Sequence, residues 1–154
     1  MAITYGAFTP DTASSLLSQA TTVANVQPTL YVNSFTGSDS NVGTSPTTAF
    51  GTITKAVAAA SNGEIIGIFG VFREYVTARL GLQDVTIIGQ ANLPRQATSG
   101  GVPNGGGATW LSPSTATNTS DLLTVQGQGW RLQNIYFNNA GTSSACVRLL
   151  RSGT

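Results

Sequence analysis

Histidine is absent from this sequence and cysteine occurs once, at Cys146. Without histidine the commonest general base and metal ligand is missing, and a single thiol closes no internal disulfide. Cys146 lies in an apolar-alternating stretch with no imidazole to activate it, so it reads as a buried structural thiol and not a nucleophile. Charge is equally scarce. Seven basic and six acidic residues make up 8% of the chain, against about a quarter in an average soluble domain. A net charge of +1, with the cations scattered, argues against a nucleic-acid partner, which needs clustered Lys and Arg to displace phosphate counterions. Only Arg148 and Arg151, in VRLLR, stand together, and they read as a solvated edge. No apolar run approaches the ~20 residues of a membrane helix, so no membrane insertion is expected. The opening MAITYGAFTPDTASS lacks the basic and apolar regions of a signal peptide, which predicts a soluble protein made in the cytoplasm.

In place of charge stand 18 glycines and an excess of Thr, Ser and Asn, giving a surface of hydroxyls and amides. The length is that of one domain able to bury a real core. Texture changes at Pro28. Before it, Asp11 is placed to N-cap a run containing Leu16, Leu17 and Ala20, and Pro28 closes the segment. The pattern predicts one short helix in an extended arm over residues 1–28. An arm of small and apolar residues builds no core of its own and docks on something else.

From Leu30 the pattern is different. TLYVN reads as a strand, and GSDSNVGTSP as a turn ending in Pro46. ITKAVAAA then sets Ile53, Val57 and Ala60 at i, i+4 and i+7 of a nearly uncharged helix over about residues 50–61. Ser61, Asn62 and Gly63 stop it, with Gly63 suited to a left-handed cap. The segments EIIGIFG, FREYVTARL, DVTIIGQ, ATWLSP, DLLTVQGQ, WRLQNIYFNNA and ACVRLL follow, each bounded by turn-forming residues and rich in β-branched or aromatic side chains. Ile87, Leu111 and Ile135 are successively 24 apart, as are Leu123 and Val147, a spacing that predicts a β-solenoid. RQATSGGVPNGGG, inside the first interval, reads as an outward loop. The first layer of a solenoid exposes apolar side chains and strand edges that must be covered. The helix carrying Ile53 and Val57 is the expected N-terminal cap.

LYVNSFTGSDSNVGTSPTTAFGTITKAVAAA, GEIIGIFGVFREYVTARLGLQDVTIIGQ and GWRLQNIYFNNA together resemble the start of right-handed parallel β-helix proteins of the pectate-lyase-like superfamily, especially bacteriophage tailspikes and tail fibres. The likeness covers about residues 30–150, and its motifs specify fold more than function. It implies an all-β, right-handed parallel β-helix with an N-terminal capping helix. A separate attachment arm (residues 1–28) precedes the β-helix (29–154), which is expected to be incomplete at its C-terminal end. Asn138 and Asn139, after Phe137, fall where such coils turn. In tailspikes the segment before the β-helix is a virion-attachment arm, which makes Tyr5, Phe8, Leu16 and Leu17 the candidate attachment side chains. The implied partners are further copies in a homotrimer, tail or head–tail connector proteins through residues 1–28, and a host surface polysaccharide through a downstream region.

Enzymatic chemistry finds little purchase in the sequence. Glycoside hydrolysis needs two facing carboxylates about 5 to 10 Å apart, and Asp11, Asp39, Glu64, Glu74, Asp84 and Asp121 include no pair whose spacing forces proximity. Glu64 and Asp84 could stack in adjacent layers, although both precede strands beside turns. Lyases of the resembled superfamily use Asp-bound calcium and a basic residue; Arg73, Arg79, Arg131, Arg148 and Arg151 have no accompanying Asp cluster. GSDSNVG lacks the alternating acids of a calcium loop, so Asp39 reads as a hydrogen-bonded turn residue. GGVPNGGG lacks the Lys-Ser/Thr of a phosphate cradle, and no cofactor is expected. Tyr5, Phe8, Tyr31, Phe35, Tyr75, Trp110, Trp130 and Tyr136 offer either packing or a sugar-stacking platform. The NTS at Asn118–Ser120 is a glycosylation signal only in a secretory context.

The sequence therefore predicts a structural virion protein, the anchor and stem of a tailspike or tail fibre, with catalysis, where present, beyond Thr154. A polysaccharide lyase or hydrolase, and a capsid decoration or adaptor protein, are the alternatives.

Overall fold

The computed structural model describes residues 27–90, 108–113, 119–140 and 144–150. These residues form mostly short strands in parallel sheets, with one α-helix. In chain order they are β1 (Leu30–Asn33), a 3-10 turn (Pro46–Thr48), α1 (Ile53–Ala59), β2 (Ile65–Phe69), β3 (Val71–Arg73), β4 (Val76–Thr77) and β5 (Thr86–Gly89). Then come β6 (Ala108–Leu111), β7 (Leu123–Val125), β8 (Arg131–Gln133), β9 (Ile135–Asn138) and β10 (Val147–Leu149).

Three sheets result: a first of order β1-β2-β5-β8, a second of order β3-β6-β9 and a third of order β4-β7-β10. Every strand pairing is parallel. From β2 onward the chain visits the first, second and third sheet in strict rotation. Each sheet has an apolar column that faces inward. Ile66, Ile87 and Leu132 align across the first, Phe72, Trp110 and Phe137 across the second, and Val76, Leu123 and Val147 across the third. All nine belong to one hydrophobic cluster or pack on it.

The strands are short because the chain must turn between sheets. Gly70, between β2 and β3, has φ 115, and Asn134, between β8 and β9, has φ 54. Glycine adopts the first conformation without strain, and asparagine is among the side chains that tolerate the second. Ser34 Oγ would lie 2.1 Å from a Cβ at position 70, so that corner also needs glycine for space.

The expected strands are present: TLYVN gives β1, and each of the seven later segments contains a strand. FREYVTARL divides into β3 and β4, and WRLQNIYFNNA divides at Asn134. Four details differ from expectation. The helix spans Ile53–Ala59 and not 50–61, because Phe50 is drawn into a parallel bridge with Val32. It ends on extended Ala60, so left-handed Gly63 (φ 80) turns the chain into β2 without capping the helix. The spacing of 24 is a true register only for Leu123 and Val147; Leu111 pairs with Asn138, and Ile87 lies in a different sheet from Leu111. A further asparagine, Asn134, turns the chain between β8 and β9, a break not expected, whereas Asn138 ends β9 and Asn139, just past it, donates to the carbonyls of Ser120 and Ala145.

Candidate functional site

Ile53 and Val57 are 0% and 2% exposed and pack into the hydrophobic cluster. A seven-residue helix is marginal alone, and side chains from distant strands and turns hold this one. Thr52 is its N-cap, accepting from Lys55 N. Glu74, just after β3, accepts from Ile53 N (2.8 Å) through one carboxylate oxygen and from Thr54 N (2.9 Å) and Thr54 Oγ1 (2.6 Å) through the other. Asp39 accepts from Gly51 N and Thr52 N through one oxygen and from Thr52 Oγ1 through the other. Two carboxylates thus satisfy the orphan amides and complement the helix dipole. At the other end Arg79 Nη2 donates to Ala60 O at 2.8 Å. Asp39 is a hydrogen-bonding residue, as expected, but it closes a turn twelve residues across the chain. Glu74's role is not readable from local sequence, since the residues it caps lie some twenty positions earlier.

Of the other described acidic residues, Glu64 and Asp121 use their carboxylates within the fold, and Asp84 is placed by its backbone. Glu64 accepts from Ser61 N, closing the turn after α1. Asp84 stands at φ 57, where its backbone N–H donates to Gln128 O. Asp121 accepts from Ala145 N and pairs through both oxygens with Arg148. The Arg148 bond and the Ala145 N–H hold the Asp121 carboxyl below its ordinary value, and the same pair raises Arg148. Among the described residues, no group of three or more His, Cys, Asp or Glu converges as a metal site.

Most of the described aromatic residues are structural. Trp110 is 0% exposed, donates Nε1–H to Glu74 O at 2.9 Å, and stacks 5.6 Å from Phe137. Trp130 donates to Leu82 O, and Tyr75 packs on the core. Tyr31 and Phe69 do something else: with Asn33, Pro46, Ala49, Gly67 and Gln90 they line a cleft of about 280 Å3 on the outer face of the first sheet. Its floor is Gly67, where a Cβ would stand 2.6 Å from Pro28 Cγ and 3.1 Å from Gln90 Cδ. Beside it, exposed Phe35 meets Phe69 edge-on at 5.9 Å. Phe69 and Gln90 were not singled out from the sequence; alternation places Phe69 outward in β2, but nothing local brings it beside Tyr31.

The two ends of the sheets differ. β1's outer edge is occupied: Tyr31 N donates to Gly43 O, Phe50 N to Tyr31 O, and Asn33 N to Phe50 O. At β3, Val71 N donates to Ser34 Oγ, and α1 packs on β1, β2 and β4. At the opposite end β8, β9 and β10 are each the last strand of their sheet among the described residues. Leu132, Ile135, Phe137, Cys146 and Val147 are only half-buried there, so Cys146 is not the buried thiol that alternation predicts. Tyr5, Phe8, Leu16 and Leu17, the predicted attachment residues, lie outside the described residues, as does the RQATSGGVPNGGG stretch.

Comparison of the chain with family models, with curated proteins and with solved structures found no match in any of the three.

Proposed function

We propose that this chain is the N-terminal anchor and stem of a bacteriophage tailspike or tail fibre. In this reading it is a right-handed parallel β-helix, homotrimeric in the virion, joined to tail or head–tail connector proteins through residues 1–28. It supports a host-binding region beyond β10. The observation that carries the reading is the rotation of the chain through three parallel sheets, sealed by α1 at one end and, among the described residues, unpaired at the other. Parallel crossovers are right-handed in nearly all proteins, which supplies the hand. A stack of this kind extends only from its unpaired end, so the sealed end belongs at the anchored base and the open end points toward the host.

A stem fits the chain better than a complete lyase or hydrolase, because Asp39, Glu64, Glu74 and Asp121 all accept backbone N–H bonds within the fold. Deleting residues 1–28 in the phage tests the anchor. Particles are expected to lack the protein while the purified variant keeps its β circular dichroism; particles that still incorporate it overturn the reading. Cross-linking within particles is expected to give a three-copy species, and a single-copy product removes the trimer.

A further inference from the structure

The cleft on the first sheet faces the point where the N-terminal arm joins the fold. We propose that residues 1–26 dock into the cleft of their own chain. This goes beyond the anchor reading, since it holds whatever the arm meets in a particle.

Three observations support it. The first is the path of the chain. Pro28 is buried with its ring over Gly67, and Thr29 is fastened to β2 by Thr29 N to Ile65 O (2.8 Å) and by Oγ1 bonds with both Ile65 O and Ile65 N (3.1 Å each). The arm therefore leaves the fold at the rim of the cleft. The second is chemical match. Tyr31, Phe69, Pro46 and Ala49 supply apolar surface, Asn33 and Gln90 supply amides, and the lining carries no charge. Residues 1–26 contain no Lys or Arg and one acid, Asp11, with Tyr5, Phe8, Leu16 and Leu17 among their larger apolar side chains. The third is tethering. A segment joined at the rim meets the cleft at an effective concentration of roughly millimolar, which favours its own chain over a second copy in dilute solution.

The test uses the full chain and its Tyr31→Lys variant, which puts a charge into the uncharged cleft at a half-exposed side chain. In the wild type, nuclear Overhauser contacts are expected between the Tyr31 and Phe69 rings and side chains of residues 1–26. In the variant these contacts vanish, and chymotrypsin cuts at Tyr5, Phe8, Leu16 and Leu17 about tenfold faster, following the population of undocked arm. Retained Trp110–Phe137 contacts verify that the variant is folded. Absence of the arm contacts in the wild type, or equal cleavage rates, overturns the proposal. Contacts seen only between differently labelled copies in a mixed sample place the arm on a second molecule and also overturn it. Failure here leaves the anchor reading standing, because particle incorporation is scored separately.

Discussion

The two ends of the sheets are built from the same kinds of side chain and bury them to different degrees. In the second sheet, Phe72 and Trp110 are 3% and 0% exposed, while Phe137, next in the same column, is half-buried. The first and third sheets repeat this: Ile66 and Ile87 give way to Leu132, and Val76 and Leu123 to Val147. Alternation within a strand decides which side chains point inward. Burial depends on whether neighbouring strands or a helix cover them, and among the described residues only the end near α1 is so covered.

The largest effect that separates the ends is at the centre of the aromatic column. Trp110→Ala empties a fully buried site and orphans the Glu74 carbonyl, so it is expected to cost about 3–5 kcal/mol. Phe137→Ala removes a ring already partly in water and is expected to cost about half as much. Urea denaturation of both variants checks this. If Phe137→Ala costs as much as Trp110→Ala, the open end is covered in solution and the comparison fails.

The sealed end has its own weak point in Glu74. Replacing it with alanine strips the acceptors from Ile53 N and Thr54 N and is expected to cost roughly 1.5–3 kcal/mol, the range for hydrogen bonds to a charged group. Glu74→Gln keeps a single acceptor oxygen and is expected to lose less. Amide exchange should accelerate in Ile53–Ala59 while β8, β9 and β10 exchange as before. Uniform acceleration would mean that the seal acts on the whole molecule.

The seal also marks what the sequence could and could not convey. Ile53 and Val57 were legible because helical spacing is local, and the strand-forming segments were legible because alternation and turn residues are local, although the breaks that divide β3 from β4 and β8 from β9 were not. Pairing was not. Insertions such as the residues between β5 and β6 change the interval from one layer to the next, so a fixed spacing caught Leu123 with Val147 but placed Leu111 opposite Ile135 instead of Asn138. Glu74 and the cleft depend on residues brought together across those intervals, and no periodicity encodes them.

A smaller, pH-dependent effect belongs to the open end. Arg148 and Ala145 hold Asp121 below its ordinary value of 3.8. A carboxyl with a depressed folded value contributes stability that is present above its unfolded value and is lost as pH falls through the folded one. The window therefore lies at and below about pH 3.8. Asp121→Asn should flatten this acid limb of the stability curve and leave the neutral-pH unfolding curve shifted only slightly. An unchanged acid limb would show that the pair is too solvated to matter.

The smallest expected effect bears most directly on what the open end is for. Leu149 in β10 is 74% exposed, so Leu149→Lys removes little buried surface and is expected to change stability by no more than about 0.5 kcal/mol. A lysine on a terminal strand also discourages another chain from pairing there. An isolated chain whose end is free in solution should therefore fold normally and become, if anything, more soluble. If the chain is the spike stem proposed above and further layers continue its sheets, the same lysine would sit beside the join and lower the yield of assembled particles. Measuring unfolding of the purified variant alongside its incorporation into particles separates the cases. Loss of both would place Leu149 in a contact the isolated chain already makes, and loss of neither would leave the open end without a partner at β10.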